Sequence, residues 1–436
     1  MESSQAPQRS VTSRVIELAA LVMALLGSFV AGTWYSQSKL SPAPERAMPS
    51  VDPYDTTKGF PQPDTPRPAD PKKDEPYAVA TRVRAIRSDA DAIAAECQKA
   101  AGGDWDKWEH DTASYRSALK ARVEKLKLLN ADHPEESPNK YEALAGKANF
   151  PLFEVGAHNR LTYLYDPDSL DSFRKEQPVV AAHRWLRERG IDVIFVPVPK
   201  MTAVYIEHFL DSTPPDGVIA PHVRRVLYEL LQNDVEVIDA FRIFRRLREV
   251  DNEYLYSTAD THWAPHGMRI IAKQIADRIE RYQFGARAKY ALPIYKTALG
   301  PYGLATYRQE YDKLLPLQDG WVSISLAQQQ LAAAAQTTTN VIVTTPDGKL
   351  MTNDPKSPVI LMGHSYVQYF VDQLFKELNI RTQTYWSGNT TTQVFGDFLR
   401  EPELLANCRV VVWITTEQHM TNFHPMPTPI SALSKK

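Results

Sequence analysis

At 436 residues and 43% hydrophobic content, the chain can bury one substantial core, or one core with a smaller satellite. Its 50 Lys and Arg against 52 Asp and Glu leave a formal charge of −2, with no basic excess to neutralise phosphates, which argues against a nucleic-acid-binding protein. Cys97 and Cys408 are the only cysteines, which excludes a disulfide scaffold and a Cys-rich zinc site; a single 97–408 bridge and two buried thiols both remain open.

The first element in chain order is an apolar run. From Leu18 to Ser38 no charged residue occurs, and the stretch LAALVMALLGSFVAGTWYSQS is long enough to cross a bilayer as a helix. Arg9 and Arg14 precede it, so the positive-inside tendency keeps that end cytoplasmic and sets Trp34 and Tyr35 at the far interface. A cleaved signal peptide is the rival, but its apolar region would be shorter and would end in a small-residue cleavage site. Residues 1–40 are therefore expected to be a transmembrane signal anchor, single-pass in an inner membrane, with the rest of the chain in the periplasm.

Residues 41–76 carry Pro42, Pro44, Pro49, Pro53, Pro61, Pro63, Pro66, Pro68, Pro71 and Pro76. Such a segment reads as an extended spacer. A charged, helix-favouring extension follows over 77–149, with helices expected at Ala80–Ala100 and Asp111–Leu129. From about Phe150 to residue 426 the pattern changes. Apolar runs at 191–199, 234–240, 357–363, 380–386 and 408–416 alternate with helical periodicity near 177–189, 218–232, 264–282, 366–379 and 390–406. Apolar strands separated by helices predict an α/β fold, a doubly wound parallel sheet covered on both faces. In such sheets function gathers at the carboxyl ends of the strands, where Ser365 and Pro197-Val198-Pro199-Lys200 fall. Residues 284–350, with a Gln/Ala run at 328–336 and a hairpin turn predicted at Asp347-Gly348, read as an insertion. Residues 427–436 form a tail.

Two segments carry chemistry. Gly363-His364-Ser365-Tyr366 sits between an apolar strand and a helix, where a serine hydroxyl is exposed and nearby amides can stabilise an oxyanion. On its own, such a tripeptide more often caps a helix. Asp260-Thr261-His262-Trp263 supplies a carboxylate and an imidazole two residues apart. In an extended segment these share a side, so Asp260 can hold one ring nitrogen while the other faces substrate. Together the segments hold the nucleophile, base and orienter of an acyl-transfer triad. A metal site through His262 and His266 is the weaker alternative: the companion Glu of an HExxH motif is missing and Pro265 lies inside the pair. No metal or cofactor is expected.

The ordered pair of motifs resembles the catalytic blocks of the AlgX/AlgJ-type polysaccharide (alginate) O-acetyltransferases, an SGNH-hydrolase-like family of the bacterial envelope. In that family an Asp-X-His-Trp block precedes the Gly-X-Ser block, the reverse of ordinary SGNH esterases. Val196-Pro197-Val198-Pro199-Lys200, the strand Val410–Thr415 and Tyr385-Trp386-Ser387-Gly388-Asn389 extend the resemblance across about Phe150 to His424. His364 departs from it, standing where the family often has Asp or Thr.

The resemblance implies an SGNH-hydrolase/flavodoxin-like fold. Ser365 would accept acetyl, His262 would act as base and then acid, and Asp260 would orient it. Gly388 and Asn389 would join the Ser365 amide as oxyanion or substrate residues, with Tyr366, Trp263 and Lys200 as further substrate candidates. The implied partners are an exported polysaccharide and a membrane-bound O-acyltransferase that supplies the acetyl donor. An acetylesterase of the same fold and a non-catalytic polysaccharide-binding or assembly scaffold are the alternative functions.

Overall fold

Seven strands organise the described residues of the computed structural model, which are 76–121, 167–248, 255–256, 262–301, 339–344, 346–347, 353–386, 395 and 402–420. They are β1 (Asp192–Val198), β2 (Glu236–Val237), β3 (Lys296–Pro301), β4 (Thr339–Thr344), β5 (Val359–Gly363), β6 (Gln383–Trp386) and β7 (Val410–Thr416). Five form one sheet in the order β2-β1-β7-β5-β6, with every pairing parallel. The last of the described strands in sequence thus lies at the centre. β3 and β4 form a separate antiparallel pair.

The helices that matter below are α1 (Pro76–Ala101), α2 (Trp105–Asp111), α3 (Pro178–Arg187), α4 (Pro221–Gln232), α5 (Ala240–Leu247), α6 (Pro265–Ile279), α7 (Ser365–Leu378), α8 (Pro402–Asn407) and α9 (Glu417–Met420). Because successive strand side chains point to opposite faces, each apolar strand feeds two cores. Ile194, Val196, Leu361, Val412 and Ile414 pack with Phe244 of α5, Ile271 of α6 and Phe370 of α7. Val193, Phe195, Ile360, Met362, Val411 and Trp413 pack instead with α3, α4 and residues Ile86 and Ile93 of α1. This is the two-sided arrangement that fully apolar strands predict.

The first described helix, α1, is fastened to the sheet by a charged stripe beside its apolar one. Arg82, Asp89 and Glu96 recur every seven residues, two helical turns, and so share a face. Arg82 pairs with Asp234 at 2.7 Å, Asp89 with Arg278 at 2.8 Å and Glu96 with Arg224 at 2.9 Å.

The apolar stretch 18–38 lies outside the described residues, and among those that are described no helix is long and apolar enough to cross a membrane. A turn occupies 346–347, Gly348 lies outside the described residues, and among the described residues the strand paired with β4 is β3, upstream of it in sequence. Cys97 and Cys408 are both buried and unbridged, each in a different apolar cluster. Of the helix expected at 390–406, the described residues include Phe395 and the α8 segment.

Candidate active site

Ser365 owes its position to the way the chain leaves β5. Gly363 has φ +155°, and a Cβ there would stand 1.9 Å from the carbonyl oxygen of Ile414 on β7. Only glycine lets the two backbones approach so closely. His364 then takes an extended conformation as the N-cap residue of α7, and Ser365 is the first residue of that helix. The first amides of a helix have no carbonyl partner within it, and the helix dipole favours negative charge at that end. Ser365 is half-buried at this terminus.

His262 is placed by a different local device. Tyr256 and Trp263 form an antiparallel bridge, and the Ala264 amide donates to the Leu255 carbonyl at 2.9 Å. Tyr256 Oη donates to the Pro199 carbonyl at 2.7 Å, tying this bridge to the end of β1. Pro265 opens α6, where its missing N–H costs nothing. Gly267 accommodates the Leu255 carbonyl, which would lie 2.4 Å from an added Cβ.

Trp263 joins the two segments. Its indole stacks on Phe370 of α7 with ring centroids 4.8 Å apart, and its Nε1–H donates to the Tyr366 carbonyl at 3.2 Å. The result is a contact between His262 Nε2 and Ser365 Oγ at 2.8 Å. The His262 ring also rests against Tyr366, with centroids 4.7 Å apart. With its proton on Nδ1, the imidazole can accept the serine proton through Nε2. A hydroxyl so placed, at a helix amino terminus, suits nucleophilic acyl transfer.

The other sequence candidates are distributed less simply. Asp260, Gly388 and Asn389 lie outside the described residues. Trp263 is wholly buried and Tyr366 nearly so, both within the core rather than open to a sugar ring. Trp413 is also fully buried, while Trp386 is half-buried. Lys200 is buried at the end of β1, where its backbone N–H donates to Glu417. His266 is buried on α6, with its Nδ1 2.7 Å from Arg269 Nη2.

Sequence reasoning missed the residues just past β7. Thr416, the last residue of β7, and Glu417 and His419 just past it lie at the carboxyl end of the central strand, beside the Gly363-His364-Ser365 turn. Polar residues directly after an apolar parallel strand were the available signal. The His364 ring stacks on His419 with centroids 3.8 Å apart, and His419 Nδ1 is 2.6 Å from Thr416 Oγ1. Burial pulls the His364 pKa down to about 4. Burial likewise pushes the Glu417 carboxyl up to about 7, against the opposing pull of Arg224 and Lys200.

Comparison with known proteins agrees with this organisation. Residues 162–417 match the family model described as ALGX, the SGNH hydrolase-like domain of the acetyltransferase AlgX. No curated protein sequence matches the chain. Similar solved structures include the O-acetyltransferase domain of Pseudomonas putida AlgJ, 18% identical with a TM-score of 0.43, covering 62% of this chain and 91% of that one. Pseudomonas aeruginosa AlgX is 17% identical with a TM-score of 0.38, and the match covers 60% of each chain. Bacillus cereus PatB1 is 12% identical with a TM-score of 0.35, covering 58% of this chain and 91% of that one. The chain belongs to the AlgX family of SGNH-hydrolase-like acetyltransferases, enzymes of polysaccharide O-acetylation.

Proposed function

We propose that the chain moves acetyl groups onto an exported polysaccharide, such as alginate, through an acyl-enzyme on Ser365. The observation that carries this reading is the 2.8 Å contact between His262 Nε2 and Ser365 Oγ. His262 takes the serine proton as Oγ attacks the acetyl carbonyl of the donor. Collapse of the tetrahedral intermediate breaks the bond to the leaving group, which receives the proton from His262. In the second half, His262 removes the proton of a sugar hydroxyl, which attacks the acetyl-serine ester; Ser365 leaves and regains its proton.

The Ser365 amide, with Gly388 and Asn389, is the proposed oxyanion cradle, and Asp260 the orienter of His262. The roles of these last three rest on the sequence motifs. The apolar run 18–38 and the proline-rich spacer support a single-pass inner-membrane protein with its catalytic body in the periplasm. There it would receive acetyl from a membrane-bound O-acyltransferase.

The test uses the full chain with a chromogenic acetyl ester, with and without acceptor polysaccharide. Mass spectrometry should find one acetyl group on Ser365, chased off by polysaccharide. Ser365→Ala and His262→Ala should abolish both steps. Wild-type turnover in either variant overturns the mechanism, and release of acetyl to water alone identifies an esterase.

A further inference from the structure

The stack of His364 on His419 has no part in the acyl-transfer steps, yet it begins on the residue next to the nucleophile. His364, the residue before Ser365, is extended, with φ −91° and ψ −171°, and Ser365 begins the helix. That ring is almost fully buried and meets His419 face to face, 3.8 Å between centroids and 20° between planes. His419 is itself held: its Nδ1 is 2.6 Å from Oγ1 of Thr416, the buried last residue of β7. Thr416 is locked in register opposite Val198 of β1. A continuous chain of contacts therefore runs from the sheet centre through Thr416, His419 and His364 to the peptide that bears Ser365.

We propose that His419 is a positioning residue for the nucleophile, bracing the His364–Ser365 peptide through the His364 ring so that Ser365 Oγ stays within reach of His262. The proposal rests on Ser365 being the nucleophile. Gly363 gives the turn its sharpness but, lacking a side chain, nothing to hold the next peptide in place. The stack supplies that hold. Because burial keeps His364 neutral down to about pH 4, this ring adds no charge beside Ser365 when His262 becomes an imidazolium. Misplacing a reacting atom by about 1 Å costs on the order of 100-fold in rate.

The experiment measures kcat, KM and unfolding temperature for the full chain with a chromogenic acetyl ester. His419→Ala should lower kcat by about 10- to 100-fold with KM and unfolding temperature unchanged. His419→Phe, which keeps a stacking ring, should restore most of that loss, and Thr416→Val should fall between the two. Wild-type kcat in His419→Ala overturns the proposal, as does a Phe variant no better than Ala. Where His419→Ala fails to fold, Thr416→Val decides, and a wild-type kcat there overturns it. Ser365→Ala is the control: its inactivity alongside a fully active His419→Ala sinks the brace alone, whereas its activity sinks the nucleophile.

Discussion

His262 Nε2 and Ser365 Oγ meet at 2.8 Å across a separation of 103 residues, and each is delivered by its own backbone device. On one side a glycine turn hands a strand to a helix; on the other an isolated bridge hands a loop to a helix. The indole of Trp263 pins these two helices together at the point of contact. Such a pair should behave as one catalytic unit. Ser365→Ala and His262→Ala should each lower kcat by about 10⁴-fold or more, and the double variant should be no slower than the worse single one. Rate losses that multiply in the double variant would mean the residues act independently.

Gly363→Ala should be among the more damaging single-methyl changes in the chain. The added carbon would overlap the Ile414 carbonyl at 1.9 Å, a backbone atom that cannot rotate away, and the residue would need φ +155°. Either β5 or β7 must shift. A loss of about 1–3 kcal/mol is expected in urea unfolding, with a larger proportional fall in kcat because Ser365 moves with the strand. Unchanged stability and rate would show that the two strands have slack at this point.

Trp263→Phe separates packing from substrate contact. The ring can still stack on Phe370, but the donor to the Tyr366 carbonyl is lost. Leaving that buried carbonyl with one fewer partner should cost about 1–2 kcal/mol. Since Trp263 has no exposed surface, KM for polysaccharide should stay where it is. A rise in KM without a loss of stability would instead make Trp263 a substrate contact.

Much of this architecture is legible in the sequence because the relevant signals are local. The stretches 193–198, 359–362 and 410–414 within β1, β5 and β7 are apolar throughout, which only a sheet covered on both faces can satisfy, and Ser365 falls at the predicted strand end. The order β2-β1-β7-β5-β6 is not legible, since which strand occupies the centre depends on long-range pairing that periodicity does not encode. For the same reason the pairing of β3 with β4 is not legible. His364 stood out only as a departure from the motif. Its meaning required His419, whose position beside it depends on β7 lying next to β5.

The Arg224–Asp239 pair joins α4 to the start of α5 and, through Glu96, to α1. Arg224 donates to both Asp239 carboxylate oxygens, at 2.8 and 2.5 Å, and through Nε to Glu96 at 3.0 Å. Asp239 also caps α5 by accepting from the Arg242 amide. Burial pushes the Asp239 pKa up, but the Arg224 guanidinium outweighs it and leaves the carboxyl below its ordinary value. Arg224→Ala strands a buried carboxylate and should cost about 3–5 kcal/mol in urea unfolding. Adding Asp239→Asn should recover part of that loss. Additive losses would mean the pair is not coupled.

Two buried groups at the active end tilt stability with pH in opposite directions. Glu417 has a folded pKa near 7 against an ordinary 4.5, so its favourable contribution is complete below 4.5 and is lost as pH rises through about 7. His364 has a folded pKa near 4 against an ordinary 6.5, so its contribution is complete above 6.5 and is lost as pH falls through about 4. Between these limits each group changes stability by about 1.4 kcal/mol per pH unit, with opposite sign, and the two nearly cancel. Replacing one should expose the other. Relative to wild type, Glu417→Gln should gain stability as pH rises over this window, by up to about 3 kcal/mol. His364→Gln should instead gain as pH falls. Urea unfolding of all three proteins across the window distinguishes these slopes: curves that stay parallel would mean that neither group titrates with the shift its burial imposes.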